Sequence, residues 1–220
     1  MKVKFTIPES LADISLSQYQ RYMDIVDKNE DADADFLNLK SVEIFCNLKI
    51  NDLRAIKTKD YEDILGDLAE SFKSKTPFKK FFNFAGQKFG FIPSLENISM
   101  GEYIDLETYL GNTKEWHKAM AVMYRPVTLE NKDTYLVEDY ESSEKYADIM
   151  AAAPLDIYLG SQVFFYNLGR ELSRHILVCS DNPMIMDSAL MKILDASGDG
   201  TPVFMHLLGE RFGDSMTSLN

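Results

Sequence analysis

The chain has 220 residues, of which 45% are hydrophobic and 12% aromatic, enough apolar material for a substantial core and too much for a disordered tail. Its 35 acidic residues outnumber 23 basic ones and leave a net charge of −12, which argues against a reader of nucleic acid because a chain of that sign repels a phosphate backbone. The longest strongly apolar, charge-free stretch, Ile157 to Gly169, is far short of the roughly 20 residues that a membrane helix needs.

Met1-Lys2-Val3-Lys4-Phe5 carries no basic-then-apolar leader and points away from secretion. Cys46 and Cys179 both sit in apolar surroundings, as expected of buried free thiols in a reducing compartment. In chain order, the alternation of Val3, Phe5 and Ile7 predicts a short strand over 2–7. Helices are expected at about 16–27, 36–47 and 59–73, the first two separated by an acidic loop from Asn29 to Asp35. Phe82 and Phe84, then Phe89 and Phe91, alternate around Ala85-Gly86 and predict a hairpin within 78–92. With the first strand it would make a small sheet of three.

Helices at about 100–110 and 113–124 follow, the second stopped by Pro126, since a residue before proline avoids the α region. Val127 to Leu129 and Tyr135 to Val137 flank Asn131-Lys132-Asp133 as a second hairpin. Helices at about 143–152, 155–178, 184–196 and 203–212 complete the chain. The fold class is therefore α+β, mainly α-helical, with short strands and hairpins, in a single domain over 1–220.

An internal echo stands out. Ile7-Pro8, a short loop and Ile14-Ser15 with Gln18 and Tyr19 match Ile92-Pro93, a loop one residue shorter and Ile98-Ser99 with Glu102 and Tyr103. Each copy has the Ser-x-x-Gln/Glu spacing in which two side chains satisfy two orphaned backbone donors at a helix start. Either a strand-turn-helix unit is duplicated, with pseudo-repeat halves 1–77 and 78–178 and a helical extension 179–220, or one good helix start was found twice.

Chemical signatures are scarce. There is no Gly-x-Ser-x-Gly nucleophile elbow, no glycine-rich loop followed by lysine for phosphates, and His117, His175 and His206 lack an i, i+4 partner for a metal. Asp195 to Gly200 matches the first half of a calcium loop, but His206 stands where the bidentate carboxylate belongs, and Asp31 to Asp35 lacks both the glycine and the glutamate. The expectation is no catalytic residues, no cofactor and no metal. What remains is contact chemistry. Trp116 shares a helical face with Met120 and Met123, Tyr103, Tyr109 and Tyr124 lie nearby in sequence, and the guanidinium fork of Arg125 is suited to clamp a carboxylate. These five, Tyr103, Tyr109, Trp116, Tyr124 and Arg125, are the candidate partner-binding residues, with core positions as the bland alternative. Met184, Met186, Met191 and Met205 add adaptable apolar groups near the C-terminus.

Phe89 to Leu95 with Gly101 to Leu106, then Trp116 to Pro126, and finally Pro154 to Gly160 with Phe164 to Gly169 resemble small structural and morphogenesis proteins of tailed bacteriophages, including the crAss-like group. The likeness spans about residues 5–170. It implies a non-enzymatic virion subunit, a ring protein of the portal-to-tail junction or tail barrel, or alternatively a tail-assembly chaperone absent from the mature particle; a small hydrolase is a remote contrast. The implied partners are copies of itself in a ring and other portal or tail proteins, with no sequence-specific nucleic acid and no membrane, and the implied location is the virion, after synthesis in the host bacterial cytoplasm. In such a ring, Glu30, Asp31, Asp33 and Asp35 are candidates for a lumen-facing or an ordinary exterior loop.

Overall fold

The computed structural model describes residues 5–164 apart from Glu30, Asp133 and the side chain of Glu96. The expected strand residues 2–4, the helices beyond 164, the calcium-like loop, Cys179, His175, His206 and the four C-terminal methionines lie outside the described residues. Helix α1 (Leu16–Lys28) is followed by α2 (Ala34–Phe45), a short α3 (Ile50–Leu53) and α4 (Thr58–Phe72). Strands β1 (Phe81–Phe84) and β2 (Gln87–Phe91) lead to α5 (Met100–Leu110) and α6 (Trp116–Met123). Then come β3 (Tyr124–Glu130), β4 (Tyr135–Val137) and α7 (Glu144–Ala151), with α8 over 155–164. The fold is α+β and mainly helical, as its sequence predicts.

The helix starts follow local chemistry. Ser15 accepts from Gln18 N at 3.2 Å while Gln18 Oε1 accepts from Ser15 N at 2.9 Å, and Ser99 and Glu102 repeat the exchange at 3.2 and 2.6 Å. A 3₁₀ turn, Leu11–Asp13 or Leu95–Asn97, precedes each box. The echo fails upstream: Phe5 to Ile7 form no strand, whereas the second copy follows β2 directly. Helix α1 also begins against α8, since Leu16 N donates to Ala153 O at 2.9 Å and Leu155 N to Ile14 O at 2.8 Å. Two helix N-termini thereby satisfy one orphan donor each.

Helix α2 starts two residues before the expected position because Asp33 caps it, accepting from Phe36 N at 2.7 Å. It ends at Phe45 because Asn47 takes a left-handed φ of 51°. Leu48 N then reaches Glu43 O at 3.0 Å, and Asn47 N reaches Ile44 O, closing a Schellman motif.

The sheet differs most from expectation. It is antiparallel, ordered β1-β2-β3-β4, and among the described residues it is built from the two hairpins without Phe5 to Ile7. Ala85 (φ 49°) and Gly86 (φ 77°) make the turn between β1 and β2, in which both central residues need positive φ. Tyr124, Arg125 and Pro126 are strand residues paired with Phe91, Gly90 and Phe89. The chain turns from helix to strand at Tyr124, and β3 then exchanges β2 for β4 at Val127, beside an irregularity before Leu129. Pro126, which has no N–H to contribute, lies immediately before that exchange.

Phe82, Phe89, Phe91 and Tyr124 face the core, with Phe82–Tyr124 and Phe91–Tyr124 rings edge to face at 5.2 Å. Against them pack the buried Ala119 to Met123 run of α6, Met150 of α7 and Leu155, Ile157 and Tyr158 of α8. A Cβ on Gly160 would lie 2.7 Å from Pro77 O, so α8 approaches the 77–78 segment as closely as a bare backbone allows.

Candidate functional site

Side chains alternate faces along a strand, so Tyr124 and Arg125 point to opposite sides of the sheet. Tyr124 is fully buried and its hydroxyl donates to Lys79 O at 2.8 Å. Burial, the largest influence on this phenol, pushes its pKa up. Arg125 is also buried, at 7% exposure, and its Nη2 donates to Glu102 Oε1 at 2.5 Å. The Tyr140 ring lies 5.6 Å from the Arg125 guanidinium carbon, and the Tyr140 hydroxyl donates to Asp105. Desolvation raises the Tyr140 pKa first and the neighbouring Asp105 carboxylate adds to it.

This knot joins α5, β3 and the segment that follows β4. Glu102 has two tasks: one oxygen completes the capping box of α5, and the other holds Arg125. The corresponding residue of the first box divides its duties differently. Gln18 Oε1 caps α1 while its amide nitrogen donates to Ile44 O at 2.8 Å, at the end of α2. A buried cation requires the carboxylate, and a helix C-terminus requires the amide donor.

Trp116 is half-buried. Its Nε1 donates to Leu110 O at 3.1 Å, and its ring stacks between Tyr19 (6.0 Å) and Tyr158 (5.0 Å), which joins α6 to α1 and α8. Tyr103 and Tyr109 are half-buried against the core, and Tyr109 lies under Lys118 Nζ at 5.5 Å and receives Ser143 Oγ at 3.4 Å. The structure thus places Tyr124, Arg125 and Trp116 at three internal joints and leaves Tyr103 and Tyr109 half-buried beside the core. Tyr124 and Arg125 offer no surface to a partner: the clamp expected for an acidic neighbour closes on Glu102 of the same chain.

Outward-facing apolar groups lie elsewhere. Leu129 and Leu136 are a directly opposed pair on β3 and β4, 51% and 56% exposed. Met100 and Ile104, one helical turn apart on α5, are 71% and 48% exposed. Spacing alone did not reveal either pair, because both sit in ordinary amphipathic patterns whose buried side is fixed by the tertiary fold.

Among the described residues, no group of three or more His, Cys, Asp or Glu side chains could hold a metal ion. Cys46 is buried, and desolvation pushes its thiol up to about 11, away from nucleophilic chemistry at neutral pH. Burial, the dominant influence on His117, lowers its pKa, and the ring meets Gln20 Nε2 at 3.2 Å. No described helix is long and apolar enough to cross a membrane. Compared with family models, with curated proteins and with solved structures, the chain finds no match.

Proposed function

We propose that the chain is a non-enzymatic structural subunit of a tailed-phage virion, most simply a ring protein of the portal-to-tail junction or the tail barrel. One observation carries the reading from the structure's side. The rarer polar and aromatic groups, Arg125, Glu102, Tyr140 and Trp116, are consumed in fastening elements to each other, while aliphatic pairs and acidic side chains are left outward. That division suits a part that is held rigidly and contacts other protein, and it leaves the Arg125 region as scaffold. The phage resemblance of Phe89 to Pro126 supplies the biological setting.

The deciding experiment is mass spectrometry of purified virions with copy-number counting. Peptides at ring stoichiometry support the reading. Their presence only in lysate of infected cells replaces it with the tail-assembly chaperone, and a turnover assay that responds to the purified protein would remove both.

A further inference from the structure

Along α4 runs a groove at the edge of the core. The segment from Phe5 to Glu9 lies against α4, fastened where Ser71 Oγ donates to Pro8 O at 3.0 Å. On one side of this segment Phe5, Ile7, Ile56 and Ile64 make an apolar floor; on the other the hollow continues past Pro8 toward Ser74. Ile64 is buried and Ile7 and Ile56 are half-buried, so Phe5, 36% exposed, is the part of the floor most open to solvent.

The rim is acidic by helical geometry. Asp60, Asp63, Asp67 and Glu70 recur at spacings of three and four, so they fall within about 80° of each other around the helix and extend for about 15 Å along it. All four line the groove and all are exposed. Glu9 adds a fifth carboxylate from the opposite wall. Against them stand Lys57 and Lys73, and Lys73 is engaged by Glu70 at 3.2 Å.

An apolar floor under a negative rim accepts an extended or helical segment with lysines flanking apolar residues. This chain owns one such segment. Lys75-Thr76-Pro77-Phe78-Lys79-Lys80 holds three lysines and no acid in a protein with twelve more acids than bases. Phe78 packs against Phe91 and Phe164 of its own subunit and Lys79 is paired with Asp156 at 2.6 Å, so Lys75 and Lys80, both exposed, are the groups this segment presents outward.

We infer that the apolar, acid-rimmed groove of α4 receives the lysine-bearing 75–80 segment of a second copy of this chain. The two surfaces differ, so the contact is head-to-tail and propagates from copy to copy, closing into a ring where the rotation allows. The inference rests on the ring reading and names the surfaces through which such a ring is joined.

Charge reversal tests it on the full chain by sedimentation velocity. The Asp60→Lys/Asp63→Lys variant and the Lys75→Glu/Lys80→Glu variant should each associate about tenfold or more weakly than the unaltered protein, while thermal melts of the subunit fall only slightly, since all four positions are exposed and the losses are one acid in the first turn of α4 and one cation over the Tyr135 ring. Mixed in equal amounts, the two variants should assemble again, since each groove then meets a segment of opposite sign. Rising salt should weaken the unaltered assembly. Variants that assemble as the parent does overturn the inferred contact and leave the ring reading standing. Recovery absent from the mixture also overturns it. A parent chain that stays monomeric at every concentration, yet is found at ring stoichiometry in virions, rejects self-contact through this groove and retains the virion role; absence from virions rejects the ring reading itself.

Discussion

Replacing Arg125 by alanine should destabilise the subunit severely. The guanidinium and the Glu102 carboxylate are 8% and 7% exposed at the side chain, 2.5 Å apart. Removing the cation leaves Glu102 buried with Ser99 N–H as its remaining donor at 2.6 Å, and it removes the Tyr140 ring's partner. Breaking a buried pair from one side costs about 3–5 kcal/mol, because one charge stays desolvated and uncompensated. In urea this is a fall of roughly 1–2 M in the unfolding midpoint with an unaltered slope. A second variant separates the charge from the shape. Glu102→Gln combined with Arg125→Met removes both charges, and glutamine keeps the cap, as Gln18 does in the first box. That double variant should recover to within about 1 kcal/mol of the parent. A loss below about 1 kcal/mol for Arg125→Ala, or a double variant as unstable as the single one, would refute the account of Arg125 as a buried structural clamp.

Ser15→Ala and Ser99→Ala should each cost about 1 kcal/mol in urea unfolding; a neutral result at either position would mean that its box contributes nothing. Gly160→Ala should lower the melting temperature, since the added carbon meets Pro77 O at 2.7 Å; a neutral result would show that α8 can move away from that segment. Cys46 should resist thiol reagents in the folded protein and react on unfolding. Its folded pKa, about 11, lies above the ordinary 9.0, so the unfolded chain sheds this proton first. The associated stability is complete below pH 9 and is lost as pH rises through 11, and a Cys46→Ala variant should flatten that part of the profile. Under the ring reading, the purified protein should not bind duplex DNA at physiological or reduced salt; binding that strengthens steeply as salt falls would require a basic surface at odds with the charge of −12.

Features whose partners lie within a few residues were legible in the sequence. The boxes at Ser15 and Ser99 depend on bonds between residues three apart, and the β1–β2 turn depends on the positive φ that Ala85-Gly86 adopts. The pairs Phe82/Phe84 and Phe89/Phe91 announced their strands by period alone. The tertiary structure decided whatever depends on a partner distant in sequence. Residues 2–7 read as a strand by alternation, yet Phe5 to Ile7 pair with no strand, because α4 offers them a helix face and no ladder. Pro126 looked like the edge of a helix, but the ladder offered by Gly90 and Phe91 draws Tyr124 and Arg125 into the sheet. The candidate contact residues were legible as residue types, with contact and core both open, and the fold drew Trp116, Tyr124 and Arg125 into joints whose other halves are Tyr158, Lys79 and Glu102. The acidic stripe of α4 was present in the spacing, but its apolar floor exists only because Phe5 and Ile7 are laid beside it. A side chain's type and period limit what it can do, and the chain segment brought opposite to it determines which of those things it does.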